Sequence, residues 1–458
     1  MLLAALILPG LLLAGCASTA RRDAVPEDKA DDAHPFGLKG MRTWGDRATS
    51  EEVDEFVHTR VPLLRHLFSD EVKAGKVPSQ DFLAMSGGGQ YGAFAAGVLN
   101  AWSKSGTRPE FAGVSGVSTG AIIAPFAFLG ADYDHVLREI YSLYATDDLI
   151  EDTLISGILH GSSLASTARL AKVIETYVTE EMLDKIATEY RKGRVLYIGT
   201  TNLDAGRPMI WDIGAIANSG APGALALVRN LIRGSAAIPV AFPPIFVDVQ
   251  TPDGKHYQEM HVDGGASSQV TFLAADIPLA ALTKAALGRN IDRRLWVIIN
   301  NDLEPPHQTI SPRIGPIGKA AVSSLIRGSG VGDVYRLYAL ARRDEIDFKV
   351  GWIPTVVPCK EPTEDFDKPF MACLFNFAGE RFSSGKLWQN VPPFYVADPM
   401  PRIDIPPPPP LPKAPPPRPA RTHPQARHAT PAHTVPATSH PATTSPLLHP
   451  TAAPAPKP

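Results

Sequence analysis

Cysteine is scarce in this chain of 458 residues, which contains only Cys16, Cys359 and Cys373. None of them lies in a CxxC pair or beside a histidine, so the sequence gives no support for a metal centre or for redox catalysis. Beyond residue 14 no apolar run is long enough to cross a membrane. The formal net charge is only −3, and we expect no metal, no organic cofactor and no nucleic-acid partner.

Small residues, by contrast, are concentrated in three motifs, and Ser118 is the centre of one of them. It lies in a Gly-x-Ser-x-Gly pattern between Gly116 and Gly120. The apolar run Phe111–Ser115 before it has the length of a buried strand, and an apolar, helix-compatible segment opens behind it. A strand-turn-helix elbow of this kind lifts a serine hydroxyl clear of the sheet. The alternative is a plain turn, since the pattern also arises by chance.

A run of three glycines forms the second motif. Gly87, Gly88 and Gly89 follow the predicted strand Phe82–Met85 and lead through Gly92 into an apolar helix. Glycines expose backbone N–H groups without side-chain obstruction, which suits the oxyanion of a tetrahedral intermediate.

The same glycine run matches the dinucleotide-binding fingerprint, so that alternative has to be weighed. The fingerprint requires an acidic residue at the end of the next strand. Glu110 instead precedes that strand, and the strand ends at the serine elbow. The oxyanion-binding loop of an acyl hydrolase is therefore favoured over a dinucleotide site.

Asp263 is the proton acceptor that its context favours for the serine. It follows a predicted strand and enters Gly264-Gly265, so its carboxylate should sit at a strand end on a tight turn, where partial burial would raise its pKa. A Ser-His-Asp arrangement remains an alternative. Its base would be one of three histidines: His256, His261 or His307.

In order and spacing, the three motifs resemble the patatin-like phospholipase family. The resemblance covers about 81–299 and includes the stretches 200–206 and 235–244. It implies a three-layer α/β fold and hydrolysis of lipid esters by a Ser-Asp dyad without histidine. Carried over by motif, the nucleophile is Ser118, the base is Asp263, and the oxyanion donors are backbone amides of Gly87, Gly88 and Gly89. Many members have Arg or Lys where this chain has Tyr91, so no phosphate-binding role is expected there. A non-catalytic envelope lipoprotein with the same scaffold is a further alternative.

The N-terminal sequence predicts where in the cell the protein is located. Residues 1–14 are apolar and have the length of a signal-peptide core, and the Leu-Ala-Gly before Cys16 resembles a bacterial lipobox. That resemblance implies lipidation of Cys16 and an envelope location, at the outer membrane facing the periplasm; an ordinary signal peptide is the alternative. In an oxidising periplasm Cys359 and Cys373 can pair, which is worth about 3 kcal/mol.

The order of segments predicts one large catalytic core with additions. We expect a signal peptide (1–15), a linker and helical segment (16–78), the hydrolase core (79–300), a C-terminal extension (301–400) and a tail (401–458). A capping box at Thr49 should start a helix that Pro62 interrupts. Strands alternating with helical segments predict an α/β fold whose mostly parallel central sheet is flanked by helices on both faces.

The tail has a different composition from the rest of the chain. It holds 20 of the 45 prolines and six Lys or Arg against one Asp. Such a segment should be disordered with polyproline II character. We expect either a solubilising tail or a spacer that makes weak contacts with anionic cell-wall or lipid groups.

Overall fold

Strands and helices alternate along most of the chain. A computed structural model describes residues 22–143, 148, 151–152, 165–274, 277–304 and 307–395, all within one compact unit. The strands are β1 (Arg42–Trp44), β2 (Ser79–Met85), β3 (Gly113–Val117), β4 (Glu151–Asp152), β5 (Ala165–Ser166), β6 (Val195–Asn202), β7 (Arg207–Asp212), β8 (Ile245–Gln250), β9 (His256–Asp263), β10 (Asp292–Asp302) and β11 (Asp347–Ile353). Apart from short 3-10 turns, the helices are α1 (Ser50–Leu67), α2 (Ser69–Lys73), α3 (Gly92–Lys104), α4 (Thr119–Leu129), α5 (Asp134–Leu143), α6 (Ala168–Tyr177), α7 (Glu180–Arg191), α8 (Ile213–Asn218), α9 (Ala224–Ser235), α10 (Leu279–Leu287), α11 (Ile314–Arg343) and α12 (Lys368–Ser383). The predicted signal peptide, Cys16 and the Pro-rich tail lie outside the described residues.

Nine of the described strands form one sheet. Its order is β1-β7-β6-β3-β2-β10-β11, and the five strands from β6 to β11 in this order run parallel to their neighbours. β7 and β9 both pair with β6 in the antiparallel direction, β1 pairs with β7, and β8 pairs with β9. The prediction of a mostly parallel central sheet is confirmed.

Alternating residues of the central strands serve two apolar cores. Leu83 and Met85 of β2 belong to the first core, together with residues of α3 to α9 and of α12. Phe82 and Ala84 belong to the second, which α10 and α11 complete and against which α1 packs. Successive side chains of a strand point to opposite faces, so each face of the sheet needs its own cover. Helices lie on both faces, as predicted.

The first helix corrects one prediction. α1 begins at the predicted capping box of Thr49 but continues through Pro62 instead of ending before it. A proline inside a helix loses one hydrogen bond and costs about 3 kcal/mol. Contacts on both sides of it hold the helix together: Phe56 and Val61 pack against the second core, and Arg65 donates to a carbonyl near the end of α10 at 2.9 Å.

Three features bear on the alternatives raised by the sequence. Within the described ranges, no helix is long and apolar enough to cross a bilayer, and no group of three or more His, Cys, Asp or Glu side chains could hold a metal ion. Glu110 pairs with Arg194 at 3.3 Å before the amino end of β3, whereas the glycine run follows the carboxyl end of the neighbouring β2. The acidic residue therefore does not occupy the position that a dinucleotide-binding site requires.

Candidate active site

β3 and β9 both end beside β6, at adjacent residues of that strand. β3 extends two residues beyond its predicted end, and its last residue, Val117, pairs with Gly199 of β6. β9 runs antiparallel along the continuation of the same edge, and its last residue, Asp263, pairs with Thr200. Because Gly199 and Thr200 are adjacent, the two strand ends converge. Ser118, the residue after Val117, is thereby brought to Asp263 across a sequence separation of 145 residues.

Ser118 occupies a strained turn between β3 and α4. Its φ of 54° and ψ of −121° lie in a region that residues other than glycine rarely adopt. A Cβ atom on Gly116 would lie 2.1 Å from the carbonyl oxygen of Gly120, and one on Gly120 would lie 2.5 Å from that of Met85. The elbow has the predicted strand-turn-helix form, and its tight packing requires glycine at both flanking positions.

Ser118 and Asp263 are joined by a hydrogen bond in which Oγ donates to Oδ2 at 2.7 Å. The other carboxylate oxygen, Oδ1, accepts the backbone N–H of Gly265 at 2.7 Å, within a short 3-10 turn that begins at Gly264. Both side chains are buried. Burial raises the pKa of Asp263 to about 6, against the opposing effect of these two hydrogen bonds. A carboxylate of that basicity is suited to accept a proton and return it near neutral pH.

Backbone contacts hold both members of this pair. The N–H of Ser118 donates to Oγ of Ser235 at 2.9 Å, and the Ser235 hydroxyl donates to the carbonyl oxygen of Gly199 at 2.6 Å. The N–H of Asp263 donates to the carbonyl oxygen of Ala237 at 2.8 Å. Ser235 at the end of α9 and Ala237, two residues later, therefore hold the pair in position. Sequence reasoning included this stretch in the family resemblance but assigned Ser235 no role.

The glycine run lies beside Ser118. A Cβ atom on Gly87 would be 3.0 Å from Cβ of Ser118. The N–H of Gly87 already donates to the carbonyl oxygen of Gln269 at 3.1 Å, so the prediction of three available donors does not hold for Gly87 in this arrangement. Within the described part of the chain, the N–H groups of Gly88 and Gly89 have no hydrogen-bond partner. These two amides are the donors that the loop offers to an incoming oxygen.

Asn300 fixes the position of the loop and was missed by sequence reasoning. Its Oδ1 accepts the N–H of Ala95 in α3, the helix that begins at Gly92, and its Nδ2 donates to the carbonyl oxygen of Ser86 at 2.9 Å. Its own N–H donates to Oγ of Ser86 at 2.8 Å. A Cβ atom on Gly88 would be 2.1 Å from the Asn300 carbonyl oxygen. Its position in the chain could have identified it, because Asn300 lies near the carboxyl end of β10. β10 is parallel to β2, so its carboxyl end lies beside the glycine run that follows β2.

None of the three candidate histidines makes a described hydrogen bond to Ser118 or the carboxylate. His261 is buried, with Nδ1 bonded to Oγ1 of Thr200 at 2.9 Å and Nε2 bonded to Oε2 of Glu259 at 3.2 Å. Burial lowers its pKa. His256 and His307 are exposed.

Tyr91, at the position where many family members carry a cation, packs against the C-terminal extension. Its ring meets that of Phe370 edge-on, with centroids 5.4 Å apart, and burial raises its pKa. Phe370 belongs to α12, which the disulfide between Cys359 and Cys373 ties to the preceding loop with a Cα to Cα distance of 5.7 Å. Cys359 and Cys373 therefore form the disulfide that the sequence suggested. Tyr91 packs against an apolar side chain of the C-terminal extension.

Comparisons with known proteins give distant structural neighbours and one family match. No curated protein matches the chain. Among solved structures, VipD from Legionella pneumophila aligns over 67% of this chain and 67% of its own at 13% identity, with a TM-score of 0.32. Human GIVD cytosolic phospholipase A2 aligns over 63% of this chain and 51% of its own at 10% identity, with a TM-score of 0.26.

The family model described as patatin-like phospholipase matches residues 83–276. This range contains the glycine run, the serine elbow and Asp263, which were the basis of the predicted resemblance. Residues 83–276 are therefore a patatin-like phospholipase domain.

Proposed function

We propose that the protein is a serine acyl hydrolase that cleaves carboxylic esters of lipids with a dyad of Ser118 and Asp263. The observation that carries the proposal is the 2.7 Å hydrogen bond between Oγ of Ser118 and Oδ2 of Asp263, in a buried site where the carboxyl has a pKa raised to about 6. The family of the domain supports lipid esters as the substrate class.

The proposed reaction has two halves. Asp263 takes the hydroxyl proton of Ser118 while Oγ attacks the ester carbonyl carbon, and the oxygen that gains charge is held by the N–H groups of Gly88 and Gly89. Collapse of this intermediate breaks the bond to the alcohol, which leaves with the proton from Asp263. Asp263 then takes a proton from water, whose oxygen attacks the acyl-serine, and the proton returns to Oγ as the fatty acid departs.

Turnover of a short-chain nitrophenyl ester tests the proposal. Ser118→Ala should abolish turnover, while Ser69→Ala, at a half-buried position on α2 where the hydroxyl bonds to the neighbouring Asp70, should leave it unchanged. A fluorophosphonate probe should add its mass at Ser118 alone. Absence of turnover and of labelling in the intact protein would favour the non-catalytic scaffold.

The same assay separates the dyad from a histidine-dependent triad. Single alanine replacements of His256, His261 and His307 should each retain turnover, since none of these rings bonds to the pair. Loss of a hundredfold or more in one of them, with the fold intact, would support the triad.

We further propose that the enzyme acts at the bacterial cell envelope, held by lipid on Cys16. The lipobox-like sequence before this residue supports the proposal. Metabolic labelling with a palmitate analogue should mark the wild type and not Cys16→Ser, and an unlabelled wild-type protein would count against the anchor.

A further inference from the structure

The amino half of α11 stands away from the rest of the described protein. Apart from the half-buried Ala320, every residue from Ile314 to Ile326 is exposed, and the buried residues of the helix begin only at Gly330. Ile314 is 94% exposed and Leu325 is 73% exposed. This half therefore presents large apolar side chains that no described part of the chain covers.

The two halves of α11 carry apolar stripes on opposite sides. In the carboxyl half, the buried stripe is Gly330, Val334, Leu337 and Ala341, which packs on the second core. In the amino half, the stripe with helical spacing is Ile314, Ile317, Ala321 and Leu325. Leu325 and Val334 are nine residues apart, which is roughly two and a half turns. Because the stripes point in opposite directions, the amino half cannot rest on the same core as the carboxyl half.

The charges of this region have one sign. The sequence contains no Asp or Glu between Glu304 and Asp333, but it contains Arg313, Lys319 and Arg327. Arg327 pairs with Asp302 at 3.1 Å, and the other two cations are exposed. Lys319 and Ser323 lie on the side of the helix away from the stripe, and the exposed Ile326 lies there as well. An exposed apolar stripe on a helix whose other side carries a cation is the pattern of a segment that lies in the plane of an anionic lipid surface.

The helix joins the protein body beside the proposed dyad. Oδ2 of Asp333 accepts the N–H of Gln269 at 2.6 Å. Gln269 in turn donates through Nε2 to the carbonyl oxygen of Gly265 and accepts the N–H of Gly87. A single residue, Gln269, therefore lies between Asp333, where α11 joins the protein body, and both the glycine run and the turn after Asp263.

We propose that the amino half of α11 is an in-plane docking helix that seats the active site on an anionic phospholipid bilayer. Its apolar stripe enters the boundary between head groups and acyl chains, and Arg313 and Lys319 face the phosphates. The proposal rests on the proposed function for its benefit to catalysis, because substrate esters lie at that boundary. The glycines at 315, 318 and 328 weaken this helix half in water, and insertion stabilises it.

Site-specific labelling tests insertion independently of catalysis. The full chain with Cys16→Ser, which removes the acyl anchor, and Ser118→Ala, which prevents hydrolysis, receives either Leu325→Cys or Ser323→Cys for attachment of the environment-sensitive dye NBD. Two residues correspond to about 200° around a helix, so Ser323 is the matched control on the other side. With phosphatidylcholine vesicles containing phosphatidylglycerol, the dye at 325 should brighten and shift to the blue, while the dye at 323 should not. Equal responses, no response, or a response to protein concentration without vesicles would overturn the proposal; the last result would indicate self-association.

Hydrolysis provides the second readout. Leu325→Ser should lower the ratio of vesicle-phospholipid turnover to soluble-ester turnover about tenfold, as expected when one large apolar side chain no longer enters the bilayer. Val77→Ser is the matched control, because Val77 is an exposed apolar residue before the amino end of β2, whereas Ser118 follows the carboxyl end of the adjacent, parallel β3. Equal ratios in the two variants would overturn docking. Failure of the wild type on both substrates would refute the proposed function, and the dye experiment would still decide docking.

Discussion

The hydroxyl of Ser235 accepts the backbone N–H of Ser118 at 2.9 Å and is itself fully buried. The same hydroxyl donates a hydrogen bond to the carbonyl oxygen of Gly199, the residue of β6 that pairs with the end of β3. A single side chain thus stabilises the strained conformation of the elbow and ties it to the sheet. The N–H of Ser118 is consequently engaged, and Gly88 and Gly89 remain as the proposed oxyanion donors.

Ser235→Ala should lower both stability and catalysis. It leaves a buried N–H without a partner, which costs about 1–3 kcal/mol. Urea unfolding should show that loss, and ester kinetics should show a lower kcat with little change in KM, because the elbow shifts while substrate contacts remain. Ser235→Thr, which keeps the hydroxyl, should recover part of the activity. A stable Ser235→Ala enzyme with wild-type kcat would contradict this role.

Asp263→Asn should reduce kcat by about 10²–10⁴-fold, because an amide cannot accept the serine proton. In the wild type, kcat/KM should rise with pH through an apparent pKa of about 6, the value to which burial raises the carboxyl. Initial rates on a soluble ester across this pH range provide the measurement. A wild-type profile that is flat from pH 5 to 8 would be inconsistent with Asp263 as the base.

The same pKa makes Asp263 a source of pH-dependent instability. Its pKa in the folded protein lies above the ordinary value of 3.8, so the folded state holds the carboxyl proton more tightly than the unfolded state does. The resulting contribution to the free energy of unfolding is fully present below pH 4 and is lost as the pH rises through about 6. The difference corresponds to about 3 kcal/mol. Urea unfolding should therefore show Asp263→Asn gaining stability relative to the wild type between pH 4 and pH 7. A stability difference that stays constant over this interval would count against a raised pKa.

Gly88→Ala should displace the glycine run and abolish most ester turnover. The added Cβ atom would lie 2.1 Å from the carbonyl oxygen of Asn300, and the residue has a φ of 150°, so neither the space nor the backbone suits alanine. Gly332→Ala is the matched control, because its Cβ atom would meet nothing within 4 Å. Thermal unfolding and kinetics of both variants provide the comparison, and normal turnover in Gly88→Ala would be the contrary result.

Reduction of the disulfide between Cys359 and Cys373 should lower the free energy of unfolding by about 3 kcal/mol, the value expected for a loop of this length. Thermal unfolding with and without dithiothreitol measures the effect. The double variant Cys359→Ser/Cys373→Ser should start at the lower stability and be indifferent to the reductant. A wild type equally indifferent would show that the loop is held without the bond.

Local patterns were sufficient to predict the elbow, because glycine at two fixed positions, an apolar run and a following helix are properties of adjacent residues. Pro62 shows the limit of such rules. Its cost to α1 is local, whereas the contacts of Phe56 and Arg65 that offset it come from residues far away in the chain. The engagement of the Gly87 amide by Gln269 was likewise beyond local reasoning, since it joins the glycine run to a residue that follows the turn after Asp263.

The sequence by itself determined Ser118, Asp263 and the glycine run as candidate site residues, the order of the motifs and the α/β class, because these follow from side-chain chemistry and hydrophobic periodicity. Only the tertiary structure decided that Asp263 rather than a histidine reaches Ser118, that Asn300 and Ser235 hold the loop and the elbow, and that half of α11 is left uncovered. These are distances between segments far apart in the chain, and they depend on how strands register on β6 and how helices pack over the sheet.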